Sequence, residues 1–123
     1  MEEEKKYDLE SRTEKFSLRV RDFCLLLKKD VINVEYIKQV VRSAGSIGAN
    51  YIEANDNLGA NDLKMRIRIC RKESKESSYW LKHLLTYENG SLEQERLSLQ
   101  KEANELMLIF AAILRKLDKG SQS

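Results

Sequence analysis

Apolar side chains recur at intervals of three and four residues through most of the chain, which is the period of an amphipathic α-helix. Short polar breaks divide this pattern into four predicted helices, at residues 9–30, 34–54, 61–87 and 92–118. Connections of only a few residues force consecutive helices to run antiparallel. The pattern therefore predicts an all-α fold, an antiparallel up-down-up-down four-helix bundle that forms a single domain over residues 1–123.

Two of the predicted helix starts carry residues that are typical of N-caps. Asn33 is followed by Glu35 and is expected to cap the second helix. Ser91, with Gln94 three positions later, has the spacing of a capping box at the start of the fourth helix. Turn-forming residues at 55–59 separate the second and third helices.

The second helix carries two different stripes. Its core side consists of Tyr36, Ile37, Val40, Val41, Ala44, Ile47, Gly48 and Tyr51. Its other side consists of Arg42, Ser46, Asn50 and Glu53. Small polar residues on that second side indicate close packing against something, because a solvated face is usually richer in Lys and Glu. Small residues in the core stripes, Ala44 and Gly48 facing Ser74 and Ser77, predict a tight contact between the second and third helices.

Several apolar residues lie outside the core stripes. Leu18 and Leu25 point away from the apolar face of the first helix, and Ile69 and Trp80 lie off the stripe of the third. Because a monomer would expose them, they favour a homo-oligomer, although scattered surface apolar residues are also ordinary in monomers.

Composition narrows the class of protein. The chain has 34% charged residues, no proline and a net charge of +2 from 22 basic and 20 acidic residues, so any basic surface must be local. Cys24 and Cys70 lie among apolar neighbours without metal-binding spacing, which favours reduced thiols in a core. No apolar run approaches the ~20 residues of a membrane span. We expect a soluble cytoplasmic protein with no membrane contact.

Catalytic and metal-binding motifs are missing from the sequence. His83 is the only histidine, which leaves no Cys-His or Ser-His-Asp set. Glu53, Glu73 and Glu76 could form a carboxylate cluster, but no Glu is followed by His three positions later, as di-iron bundles require. We expect no enzyme activity, no catalytic residue, no metal and no cofactor.

A polar surface is the first candidate site. It combines the polar side of the second helix with Glu73, Glu76, Tyr79 and Trp80 on the third. These groups could satisfy one another across helices or subunits, which would fix the helical register. They could instead hold a ligand or peptide in a groove.

A basic run on the third helix is the second candidate site, for nucleic acid. Its residues are Lys64, Arg66, Arg68, Arg71, Lys72 and Lys75. Repeated around an oligomer, this run could contact phosphates without sequence preference. A solvated helix face countered by Glu73 and Glu76 is the alternative. Tyr79 and Trp80 lie beyond the run, so base stacking is not predicted.

The same two segments resemble a known family. The residues RSAGSIGANYIEA at 42–54 and DLKMRIRICRKESKESSYWLKHL at 62–84 resemble bacterial four-helix bundle proteins encoded within intervening sequences of 23S rRNA genes, which also carry a ribosomal-protein-like label. The resemblance spans about residues 16–117. It matches Arg42, Ser46, Asn50 and Glu53 on the second helix and Glu73, Glu76, Tyr79 and Trp80 on the third.

The resemblance implies a homo-oligomer, most simply a homopentamer. Similar accessory variability proteins of retroelements associate with a reverse transcriptase and nucleic acid as basic pentamers, whereas this chain is nearly neutral. The leading hypothesis is a non-enzymatic homo-oligomeric binding or scaffold module for structured RNA or an RNA-associated protein. The alternative is an accessory subunit that grips a partner helix without nucleic-acid contact.

Overall fold

Four helices make up the fold of this protein, whose computed structural model describes the backbone of residues 2–122 and the side chains of residues 9–120. The helices are α1 (Glu2–Leu26), α2 (Val31–Asn55), α3 (Ala60–His83) and α4 (Gly90–Gln122). Each helix packs against the next along the chain, and α4 also packs against α1. These contacts confirm the predicted four-helix bundle.

The predicted apolar stripes form the core. Its largest completely buried side chains are Phe16, Phe110, Ile47, Ile67, Leu81, Leu99 and Leu106. Val41, assigned to the core side of the second helix, is instead exposed by 44%, and Leu85, predicted to end the apolar stripe of the third helix, is exposed by 41%. Val41 lies at the edge of the α2 stripe, and Leu85 follows the end of α3. Among the helices described, none is both long and apolar enough to cross a membrane.

The start of α2 differs from the prediction. Asp30 is the N-cap, since its carboxylate accepts the backbone N–H groups of Ile32 at 3.0 Å and Asn33 at 2.8 Å. Asp30 needs an extended backbone to do so, and α1 accordingly ends at Leu26 and not at residue 30. The prediction that Asn33 caps this helix is wrong.

Asn33 instead ties two connections together from inside the bundle. Its buried side chain donates to the carbonyl oxygens of Lys28 and Leu85, both at 3.0 Å, and accepts the Leu85 N–H at 2.9 Å. These bonds satisfy backbone groups of Leu85 outside a helix, and Leu84 is already extended. Therefore α3 ends at His83, before the predicted residue 87.

The N-terminus of α4 is also capped by a residue other than the predicted one. Tyr87 and Glu88 take left-handed backbone angles, with φ of 52° and 64°, and turn the chain. The side chain of Asn89 then accepts the Leu92 N–H at 3.0 Å. Asn89 is thus the capping residue, and the predicted capping box at Ser91 is wrong.

Small residues hold α2 and α3 close together, as predicted. The Ser43 and Ser77 hydroxyls lie 2.9 Å apart in a hydrogen bond, and both residues are buried. Nearby, the Cys70 thiol donates to the Ile47 carbonyl oxygen at 3.4 Å, while Ala44 is fully buried. The hydrogen bonds make it possible to bury these polar groups without the cost of leaving them unpaired.

Gly48 does not belong to that contact. A Cβ atom at this position would lie 3.3 Å from Oγ1 of Thr13, so Gly48 lets α1, and not α3, approach α2. At Gly45, one turn earlier, a Cβ atom would meet Ser17 Oγ at an ordinary 3.8 Å. The predicted role of Gly48 at the α2–α3 crossing is therefore wrong.

Leu18 and Leu25 are exposed, by 41% and 68%, as predicted. Ile69 and Trp80 are not: both are partly buried within one chain, and Trp80 packs against the core. Val41 and Ile52 are further exposed apolar residues on α2. Exposed apolar residues thus occur on α1 and α2, and others lie on α3 and α4, among them Met65, Leu97 and Leu108.

We expect Gly48→Leu to lower the free energy of unfolding by about 1–3 kcal/mol, because the added side chain overpacks the α1–α2 contact at Thr13. Gly45→Leu is the matched control and should cost nothing, since its position is exposed and Leu is the better helix former. Urea unfolding measures both. Equal losses in the two variants would contradict the close contact at Gly48.

Candidate functional site

The outer face of α3 gathers four cationic side chains. Arg68, Arg71, Lys72 and Lys75 line one shallow depression of about 310 Å³, and all four are exposed. Spacings of three and four residues place them along one side of the helix. Among the described residues, no carboxylate lies within 4.0 Å of their charged nitrogens. These four residues form the cationic surface of α3.

Lys64 and Arg66, the other two members of the basic run, point elsewhere. Lys64 Nζ lies 3.8 Å from a carboxylate oxygen of Asp118 on α4, and only 14% of its side chain is exposed. Arg66 turns toward α2, where its Nη1 donates to Asn50 Oδ1 at 3.0 Å. The sequence run is therefore divided between contacts within the bundle and a surface open to solvent.

The polar side of α2 faces the flank of α3. Asn50 donates to the backbone carbonyl of Ser46 at 2.9 Å and to its hydroxyl at 3.0 Å, while its carbonyl accepts from Arg66. All the polar atoms of the Asn50 side chain are thus engaged in this helix pair. Glu53 is exposed near the end of α2, where its backbone carbonyl accepts the Asp56 N–H. The structure therefore brings Ser46, Asn50 and Arg66 together.

A second part of this polar surface is a pair of carboxyl groups. Glu73 is only 7% exposed, and burial raises the pKa of its carboxyl group. The neighbouring Glu76 raises that pKa further by repulsion and by a hydrogen bond, whereas the positive charges of Arg42 and Lys72 oppose the rise. The Glu73 carboxyl group therefore holds its proton more tightly than a solvated carboxyl group does, with the charge of Arg42 on α2 acting against this.

Aromatic rings continue this surface toward the end of α3. Trp80 stacks on Tyr36 of α2, with ring centroids 5.9 Å apart, and meets Tyr79 edge-on at 4.9 Å. The ring of His83 lies 4.4 Å from that of Tyr79 and 5.3 Å from that of Tyr36. His83 Nδ1 lies 2.7 Å from the Tyr79 carbonyl oxygen, which can only accept, so this nitrogen carries a proton.

Sequence reasoning left Tyr36 and His83 out of this surface. His83 follows Tyr79 by four residues, a helical spacing that could have placed the two rings together. Tyr36 comes from another helix, and its stacking on Trp80 depends on how α2 and α3 pack.

The cysteines and the acidic residues do not assemble into a metal site in the part of the chain whose side chains are described. No group of three or more His, Cys, Asp or Glu side chains there could hold a metal ion. Cys24 and Cys70 are free and buried, as predicted, and burial raises their pKa values to about 11 and about 12. Both thiols are therefore protonated and poorly nucleophilic near neutral pH.

Comparisons with known proteins extend this description. Neither a protein-family model nor a curated protein matches the chain. A solved structure does: a protein of unknown function from the S23 ribosomal protein family of Bacteroides thetaiotaomicron VPI-5482. It is 26% identical, with a TM-score of 0.73 over 86% of this chain and 97% of the other. This similarity supports the ribosomal-protein-like label, while the link to rRNA intervening sequences and retroelements remains a prediction.

We expect the substitution Glu73→Gln to remove one source of pH dependence from folding. Since the folded chain holds the Glu73 proton more tightly than the unfolded chain, the contribution of Glu73 to wild-type stability falls as pH rises above the ordinary carboxyl pKa of 4.5. The variant should therefore become more stable relative to wild type between about pH 4 and pH 7, measured by urea unfolding.

Glu102→Gln is the control of opposite sign. A hydrogen bond from Arg12 lowers the pKa of Glu102, so its carboxylate contributes stability that is present above the ordinary pKa and lost in acid. This variant should lose stability relative to wild type as pH rises. If Glu73→Gln followed the same trend, the raised pKa of Glu73 would be contradicted.

Proposed function

We propose that this protein is a homo-oligomeric binding or scaffold module whose cationic surface contacts the phosphates of RNA. The observation that carries the proposal is the group of four exposed cations around one depression on α3. Because these cations are unpaired and solvated, they can neutralise RNA phosphates. The RNA then releases the counterions that it held, and this release favours binding. Lys64 and Arg66 contribute less, because they are engaged with Asp118 and Asn50.

Assembly would increase the effect of so small a surface. The net charge of +2 is too low to attract RNA to a single chain over long distances, but an oligomer presents several copies of the cationic surface at once. Linked sites bind a long ligand far more tightly than one site alone. The proposed partner is accordingly structured RNA, or a protein that carries it.

The exposed apolar residues of α1 and α2 support the oligomer. Leu18, Leu25, Val41 and Ile52 are each more than 40% exposed. Leu18 and Leu25 are two turns apart on the same side of α1. We infer that another copy of the chain covers them, and the family resemblance suggests five copies. The proposed module is not an enzyme and acts in the cytoplasm.

A protein-binding accessory subunit is the second candidate. It is favoured by the groove between α1 and α2, which small residues such as Gly45, Gly48 and Ala49 leave open to an approaching helix. A helix held there by apolar contacts would respond little to salt, whereas phosphate contacts weaken steeply. Salt dependence therefore separates the two candidates.

The role of the cationic surface can be tested by reversing its charges. In the triple variant Arg68→Glu, Lys72→Glu, Lys75→Glu, we expect RNA binding to be abolished at physiological salt. With single cations removed instead, the slope of log affinity against log salt should fall by about 0.7 for each lost contact with a single strand. Fluorescence anisotropy over a salt series measures both quantities.

Its control is the triple variant Lys15→Glu, Lys101→Glu, Lys116→Glu. These lysines are exposed on α1 and α4, and their substitution changes the net charge by the same amount. The control should lose much less affinity than the α3 variant. Equal losses would mean that overall charge, and not this surface, governs binding.

The proposed assembly can be tested by measuring the molar mass. Light scattering on a size-exclusion column should give the wild type a molar mass that is a multiple of 14.3 kDa, fivefold for a pentamer. Leu18→Glu with Leu25→Glu should shift this mass toward one chain, because charges would then be buried between copies. Leu108→Glu, at an exposed position on α4, is the control and should assemble normally. A monomeric wild type would refute the oligomer.

A further inference from the structure

Tyr79 lies directly next to the cationic surface, on the same side of α3. It follows Lys75 by four residues and Lys72 by seven, and it precedes Lys82 by three, so all four residues share one side of α3. The three lysines are exposed, and the Tyr79 residue is 55% exposed. An aromatic ring is thus flanked by cations on both sides along the helix.

The contacts of Tyr79 hold its ring in place without covering it. Trp80 meets the ring edge-on with centroids 4.9 Å apart, and the His83 ring lies 4.4 Å away at an angle of 44°. Trp80 is in turn stacked on Tyr36 of α2. Since these neighbours lie on the α2-facing flank, the outward part of the tyrosine ring stays open to solvent.

We propose that Tyr79 is a stacking platform for one base of a single-stranded RNA segment whose phosphates follow Arg68, Lys72 and Lys75. This inference rests on the proposed function and specifies the ligand as unpaired RNA. The length of helix from Arg68 to Tyr79 is about 17 Å at 1.5 Å per residue, which is enough for several phosphates. A cationic track joined to an aromatic ring is the combination that binds single strands without reading their sequence.

A folded duplex fits the same surface less well. Bases in a duplex are stacked on one another and present no free face to a tyrosine, so the ring would contribute nothing to binding. A protein partner could also use an aromatic ring, but it would bring no regular series of negative charges to the lysines. The juxtaposition of ring and cations therefore favours an unpaired strand.

The test compares two ligands of equal charge. Wild-type protein is titrated with an oligoadenylate of about 12 nucleotides, within the range of site sizes of single-strand-binding folds, and with an abasic phosphodiester strand of the same length. Anisotropy of a terminal label gives both affinities. If Tyr79 is a stacking platform, the oligoadenylate should bind about 5- to 150-fold more tightly than the abasic strand. This is the increase in affinity expected from stacking one base.

Variants of Tyr79 assign that difference to the ring. Tyr79→Leu should bring the oligoadenylate affinity close to that of the abasic strand and leave the abasic affinity unchanged, whereas Tyr79→Phe should behave like wild type. Trp80, the only tryptophan, adds a readout in the unaltered protein, because a base placed on Tyr79 should change its fluorescence. The change in Trp80 fluorescence and the comparison of the two strands with wild-type protein test the stacking of a base on Tyr79 even if Tyr79→Leu folds poorly.

The outcomes separate this inference from the function on which it rests. Equal binding of both strands, unaffected by Tyr79→Leu, would overturn the platform and leave the cationic surface in place. Binding of neither strand, in the assembled protein at low salt, would overturn both and favour a protein partner. A preference for adenylate that survives Tyr79→Leu would also contradict the platform, because the base would then stack elsewhere.

Discussion

The close approach of α2 and α3 is the constraint on which the rest of the structure depends. Helices pack this closely only where the facing side chains are small, and a buried hydroxyl is acceptable there only when it is hydrogen-bonded. Ser43 and Ser77 meet both requirements through one shared hydrogen bond, beside the fully buried Ala44. Because this contact fixes the rotation of each helix, it also decides which residues of α3 face α2 and which face solvent.

That rotation divides the polar residues of α3 into two sets with different environments. Arg66 and Glu73 lie near α2, where Asn50 accepts from the first and the charge of Arg42 acts on the second. Arg68 and Lys72, close to them in sequence, point outward into the cationic surface. Interlocked groups near α2 are suited to fixing the register of two helices, whereas solvated cations are available to a ligand.

The helices and most of the core could be predicted from the sequence because burial enforces a periodic pattern over many residues. Caps were less predictable, since Asp30, Asn33, Asn89 and Ser91 are all good caps locally and tertiary contacts choose among them. Asn33 is lost as a cap because Leu85, distant in sequence, requires its amide. The candidate site was predicted as two separate sets of residues, but the direction of each side chain depends on helix rotation.

Net charge conceals how charges are distributed in this molecule. Two arginines of α1 that contact α4 are matched with carboxylates: Arg12 pairs with Glu102 and Glu105, and Arg19 pairs with Glu95. Such pairs cancel much of each other's field, while the cationic surface keeps its own. A nearly neutral chain can thus present a local positive potential. The amino-acid composition does not reveal this separation, because it counts a paired arginine and a solvated arginine alike.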